Sequence, residues 1–204
     1  MDDTMSSISA KDVAELRRRT GAGMMDCKKA LAENGGDFDK ATEWLRAHGV
    51  ARAEQRTART ANQGLVESYL HHSGKVGVLV ELDCETDFVA RTDDFRQLAK
   101  DVAMHVAASA PLAVSVDQLS PEVVARERRI YTEQVAQEGK PEAVRAKIVE
   151  GKLKKFFSEV VLLEQPFVKD DKRTVGEVVK EVSGKVGENV VVKRLARFQL
   201  GEVA

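Results

Sequence analysis

The sequence predicts an α+β protein: an N-terminal bundle of three short helices, then a three-stranded antiparallel sheet packed with helices and carrying a projecting helical hairpin. Three observations predict it. The first 50 residues hold three stretches of helical periodicity, each opened by Ser or Asp. Val76, Val78, Val80, Leu82 and Cys84 alternate strictly with Gly77, Leu79, Glu81 and Asp83, the two-residue period of a strand with one buried face. Between about 121 and 163 run two long charged helical stretches broken at Gly139-Lys140-Pro141.

In chain order, residues 1–7 are acidic and polar and read as a disordered tail. Ser9, with Asp12 three residues on, opens the first helix as a weak variant of the capping box. Val13 and Leu16 share its apolar stripe, and Thr20-Gly21-Ala22-Gly23 ends it. Asp26 is expected to cap the second helix, which carries Ala30 and Leu31 and stops at Asn34-Gly35-Gly36. Asp37 caps the third, where Phe38, Ala41, Trp44, Leu45 and His48 fall on one side, with Trp44 the expected centre of a bundle over 1–50. Residues 51–63, locally basic through Arg52, Arg56 and Arg59, read as a linker that starts helical and becomes extended.

The core domain is placed at 64–204. Residues 65–70 and 76–84 are its hairpin strands, with His71-His72-Ser73-Gly74 as the turn. A helix with Phe95, Leu98, Val102 and Val106 on one stripe follows. Pro121 suits a first helical turn, and that helix runs to about Gln137. The return helix runs from Glu142 towards Leu163 and becomes strongly apolar at Phe156, Phe157, Val160 and Val161. Such a pair looks like an arm that is apolar only at its root. Pro166 and Asp170-Asp171 mark a loop, Thr174 caps a short helix through Val175, Val178, Val179 and Val182, and 190–200 is the third strand.

Composition narrows the function. Lys plus Arg is 32 against 33 for Asp plus Glu, so bulk charge gives no attraction to nucleic acid. No apolar run approaches a membrane span, the start resembles no export signal, and two cysteines make no disulfide scaffold. A cytoplasmic protein is expected. Cys27, Cys84, His48, His71, His72 and His105 show no metal-ligand spacing. His71 and His72 are expected to point to opposite sides of their turn, in solvent. No G-x-S-x-G is present, Cys84 belongs to the buried row, and Gly21-Ala22-Gly23 lacks the rest of a phosphate loop. Neither a catalytic residue nor a metal nor a cofactor is indicated.

Two segments stand out. Thr20-Gly21-Ala22-Gly23-Met24-Met25-Asp26 places two methionines beside a glycine turn. They either fill the bundle core or present an adaptable partner surface; adjacent residues cannot both face one core. Glu85-Thr86-Asp87-Phe88-Val89 follows a strand end at the sheet rim. It is either a turn capped by Thr86 with Phe88 buried, or an acidic-aromatic tip aimed at a partner. Pattern leaves both open.

At these segments the sequence resembles bacterial elongation factor Ts. Leu16-Arg17 with the run from Thr20 through Lys28-Lys29-Ala30-Leu31 resembles that family's first signature. Glu81-Leu82-Asp83-Cys84-Glu85-Thr86-Asp87-Phe88-Val89-Ala90-Arg91 resembles its second. Met104-His105-Val106-Ala107-Ala108, Val149-Glu150-Gly151-Lys152, Gln165-Pro166-Phe167-Val168 and Val186-Gly187-Glu188-Asn189 agree, so the resemblance runs from about 8 to 201.

The resemblance implies a guanine-nucleotide exchange factor for the GTPase elongation factor Tu, without covalent chemistry of its own. The bundle would be of the ubiquitin-associated type, and the remainder the family's dimerisation domain with its helical hairpin. Thr86, Asp87, Phe88 and Val89 would form a wedge that dislocates the GTPase's magnesium, with Phe88 inserted between its helices. Arg17, Met24 and Met25 would dock the bundle on the same GTPase. Only one of the two related sheet subdomains of longer members is present, and so is no helix after the last strand; the short form resembles members that homodimerise. The rival is a ubiquitin-associated-like adaptor without exchange activity, which residues 8–48 alone would permit.

Overall fold

The computed structural model describes residues 8–139 and 141–202, so the expected tail at 1–7 lies outside the described residues. The bundle comprises α1 (Ala10–Thr20), α2 (Met24–Glu33) and α3 (Phe38–Arg56). Next come β1 (Gln63–Leu70), β2 (Val76–Cys84), the single turn α4 (Asp87–Ala90) and α5 (Asp93–Ser109). The hairpin is α6 (Pro121–Gln137) and α7 (Glu142–Val160). It is followed by β3 (Pro166–Phe167), β4 (Asp170–Thr174), α8 (Val175–Val186) and β5 (Val191–Gln199). This is the α+β architecture expected.

Ser9 and Asp12 form a complete capping box on α1, and Gly21 closes the helix in the left-handed conformation at φ 69°. α2 begins at Met24 with Gly23 as its N-cap, so Asp26 is not the cap but lies inside the first turn. A carboxylate there still faces the positive helix end, which is why the residue type marks the terminus without fixing its position. Asp37 does cap α3, its Oδ1 accepting the Asp39 and Lys40 N–H groups at 3.0 Å each.

Val13, Leu16, Cys27, Ala30, Leu31 and Ala41 form the bundle core. Trp44 is not its centre. The indole N–H needs a partner and reaches Glu33 Oε2 at 2.9 Å, so the ring lies half-buried at the edge, stacked on His48 with 3.5 Å between centroids. α3 then continues through the basic stretch, burying Ala53. It crosses α8 where a Cβ on Gly184 would come within 2.8 Å of the Gly49 carbonyl oxygen, an approach only glycine permits.

The sheet order is β1-β2-β5, with both pairings antiparallel. Val78, Val80, Leu82 and Cys84 point inward against Phe95, Leu98, Val102 and Val106 of α5 and Val175 and Val179 of α8. The register lines up the outward face in rows: Leu70, Gly77 and Phe198; Ser68, Leu79 and Ala196; Val66, Glu81 and Arg194.

The hairpin is not apolar only at its root. Val135, Val149 and Leu153 are buried between its helices with Tyr131 and Ile148, beyond the root cluster of Ala113, Leu119 and Val161. Three buried positions, flanked by the partly buried Tyr131, Ile148 and Phe157, hold two charged helices together without making a continuous stripe. α7 stops at Val160 rather than Leu163 because Val161 turns extended and bridges Ala113. The expected loop after Pro166 is instead the small antiparallel ribbon of β3 and β4. It is fixed to α5 by His105, whose Nδ1 accepts the Val168 N–H at 3.2 Å while Nε2 meets Gln165 Oε1 at 3.0 Å. Outside a pleated strand there is no alternation: the His71 and His72 rings do not point apart but lie 4.1 Å from each other. Among the described residues no helix is long and apolar enough to cross a membrane.

Candidate functional site

Cys84 occupies the buried row, so the chain leaves β2 at the sheet rim and must turn there. Thr86 makes the turn. Its Oγ1 accepts the Val89 N–H at 3.4 Å, and its carbonyl accepts the Ala90 N–H at 3.3 Å, which together start α4. The Thr86 hydroxyl donates to Glu188 Oε1 at 2.6 Å. Glu188 Oε2 receives the N–H groups of Glu85 and Thr86, both at 3.0 Å. In return Glu85 Oε1 accepts the Asn189 N–H at 2.7 Å and pairs with Arg59 Nη1 at 3.4 Å. Asn189 Nδ2 donates to the Arg59 carbonyl at 2.8 Å. Three segments distant in sequence therefore meet beneath one turn.

The buried thiol of Cys84 completes the seat, donating to the Thr86 carbonyl at 3.1 Å. Burial, reinforced by the Glu188 carboxylate, pushes this thiol up to about 11, so it remains a protonated donor.

The turn presents one large apolar group. Val89 packs inward against the core and Ala90 is buried, whereas Phe88 is 78% exposed. The capped turn of the first alternative is present; its buried Phe88 is not. Positions 88 and 89 point about 100° apart on a helical turn, and Val89 takes the inward direction. Asp87 pairs with Arg91 Nη2 at 2.8 Å. Such an exposed ion pair is worth under about 1 kcal/mol and is readily exchanged for another partner.

Arg17 lies on α1, and Met24 and Met25 open α2 of the bundle. Met24 is 44% and Met25 75% exposed, and neither enters the bundle core. The inward positions of α2 are Cys27, Ala30 and Leu31; Met25 falls on another face. Among the described residues no group of three or more His, Cys, Asp or Glu side chains could hold a metal ion.

Glu188 had no assigned role in the sequence. It lies 102 residues from Thr86, and no periodicity links the two. Its local signs are its position one residue past Gly187, the left-handed residue that ends α8, and its place in the Val186-Gly187-Glu188-Asn189 run of the resemblance, neither of which says what it holds.

The family model described as "Elongation factor TS" matches residues 27–202. The chain is 54% identical over 198 residues to elongation factor Ts of Desulforamulus reducens, covering 97% of this chain and 91% of that protein. It is 54% identical over 198 residues to elongation factor Ts of an Anaeromyxobacter species, covering 97% and 90%. With elongation factor Ts of Solidesulfovibrio magneticus it shares 50% identity over 200 residues, 98% of this chain and all of that protein.

Proposed function

The chain belongs to the elongation factor Ts family of translation elongation factors, and from that premise we propose that it is the guanine-nucleotide exchange factor of elongation factor Tu, acting in the cytoplasm. The observation that carries the proposal is Phe88, an aromatic ring 78% exposed on a turn held by hydrogen bonds from two other segments. A large exposed apolar side chain on a well-seated turn suits insertion into a partner.

Exchange needs no covalent step, which accords with a site built from contact groups. The factor must bind the nucleotide-free GTPase more tightly than the loaded one, and by linkage nucleotide and factor weaken each other equally. A GTPase holds its nucleotide through a phosphate loop and Mg²⁺. Phe88, entering between helices of the GTPase, and Asp87, beside the metal's side, displace that arrangement. Each 1.4 kcal/mol taken from nucleotide binding speeds release about tenfold at constant association rate. Arg17, Met24 and Met25 add affinity through a second patch, the flexible thioethers adapting to a helix surface.

The unit that acts is a homodimer. Val66, Leu70, Leu79 and Phe198 stand 48–73% exposed on one sheet face, large apolar side chains that a second copy can cover. A second copy offers the same face, on which Glu81 and Arg194 form an ion pair in the row of Val66.

The test is release of fluorescent GDP from elongation factor Tu. Substoichiometric amounts of this protein should accelerate it over many turnovers. Binding without acceleration would leave the adaptor reading in its place.

A further inference from the structure

The Thr86 turn is too short to hold its own direction. A single helical turn closes few hydrogen bonds and its nucleation is unfavourable. The Asp87–Arg91 pair is exposed and weak. The Thr86 cap and the inward Val89 fix the turn internally, but the two peptide units that set its angle to the sheet, Glu85 and Thr86, donate to Glu188. Glu188 is itself held. Gly187 reverses the chain at φ 80°, the Ser183 hydroxyl donates to the Glu188 carbonyl at 2.5 Å, and the neighbouring Asn189 is buried with its amide on the Arg59 carbonyl.

We propose that Glu188 is a positioning residue for exchange, which fixes the angle at which Phe88 leaves the sheet rim by receiving the Glu85 and Thr86 N–H groups and the Thr86 hydroxyl. The proposal rests on the exchange reading above. Its consequence is preorganisation: the tip is in its binding direction before the GTPase arrives, so no ordering cost is met on encounter. If loss of the carboxylate leaves the tip correctly placed about a tenth of the time, apparent affinity falls about tenfold while the saturated complex is unaltered. Glutamine retains an oxygen for the two N–H groups, so most of the effect is restored.

The experiment measures GDP release against factor concentration for wild type, Glu188→Ala, Glu188→Gln, Phe88→Ala and the Glu188→Ala/Phe88→Ala pair. Amide hydrogen exchange is followed in the same proteins without the GTPase. Glu188→Ala should raise the half-saturating concentration about tenfold with the saturated rate unchanged, and Glu188→Gln should stay within about threefold of wild type. In the Phe88→Ala background, adding Glu188→Ala should change exchange by less than about twofold, since Glu188 acts through the ring already removed. Amides of 85–91 should exchange faster in Glu188→Ala, with those of α5 unchanged. Wild-type half-saturation in Glu188→Ala, full additivity with Phe88→Ala, or equal loosening of α5 would each overturn the positioning role. If Glu188→Ala does not fold, Glu188→Asp shortens the side chain by one methylene and draws the carboxylate away from its three donors while Thr86 keeps its cap; it must raise half-saturation too, and wild-type behaviour there is equally fatal. Failure of the wild type to release GDP would overturn the exchange reading instead, and the amide measurement would then decide alone whether Glu188 seats the turn.

Discussion

Truncating Phe88 to Ala should separate function from stability. A phenylalanine has on the order of 200 Å² to bury, and 78% of this one is in solvent. Seating it in a partner would then remove about 150 Å² of apolar surface, worth at most about 4 kcal/mol at 25 cal/mol per Å². Ordering the ring and imperfect fit reduce this to about 2 kcal/mol, which is roughly a thirtyfold loss of exchange at subsaturating factor. The cost to folding is far smaller. A buried phenylalanine loses about 3–5 kcal/mol on truncation, and with most of the ring exposed the expected loss is below about 1 kcal/mol, or a few degrees of melting temperature. The assay pairs GDP release from elongation factor Tu with thermal unfolding of the variant alone. A large fall in melting temperature with exchange per folded molecule unaltered would refute the reasoning, because it would mean that the ring supports the core and not the partner.

Three further outcomes are expected. Burial holds His105 below its ordinary value, against the opposing pull of its Gln165 hydrogen bond, so the unfolded chain binds the extra proton first; stability should be intact above pH about 6.5 and fall as the pH drops below it. Substituting His105→Gln should remove that part of the slope in urea titrations below about pH 6.5, and an unchanged slope would contradict it. Gly64 sits at φ 154° where a Cβ would lie 2.0 Å from the Leu82 carbonyl oxygen, so Gly64→Ala should cost more than about 2 kcal/mol in denaturant titration; a neutral substitution would mean that the strands can part there. Light scattering at micromolar concentration should give twice the 22.4 kDa chain mass, falling to the single mass in Phe198→Glu, and a wild-type mass of one chain would exclude the dimer.

The fold was legible where one physical rule acts alone. Strict alternation from Val76 to Cys84 left no choice of face, and Ser9 with Asp12, and Thr174, satisfy orphan helix N–H groups in ways that few other residues can. Readings failed where two demands competed. Trp44 is apolar enough for a bundle centre, but its N–H drew it to Glu33. The β4 ribbon carries Asp170-Asp171-Lys172-Arg173, polar throughout, because a strand outside the main core has no face to bury. Charge likewise concealed the seam of Val135, Val149 and Leu153, the buried positions in the cluster that packs two long helices together.

The candidate site divides along the same line. Thr86 was readable as a cap because its partner, Val89, is three residues away, and Cys84 as buried because its register is local. Whether Phe88 points in or out was not readable. The inward choice goes to Val89, which packs against the core cluster where α4 meets β1, β2 and α5, and pattern within 85–91 contains none of those elements. Glu188 is further still from local signals. It is a polar residue after a helix stop, a place where a charged side chain is ordinarily solvated, and only closure of the sheet by β5 brings it under the turn. A partner-binding tip must expose apolar surface that folding would otherwise bury, so its support comes from hydrogen bonds across the fold rather than from its own hydrophobicity. That is why sequence shows such a tip as an oddity at a strand end, and only the assembled sheet shows what holds it.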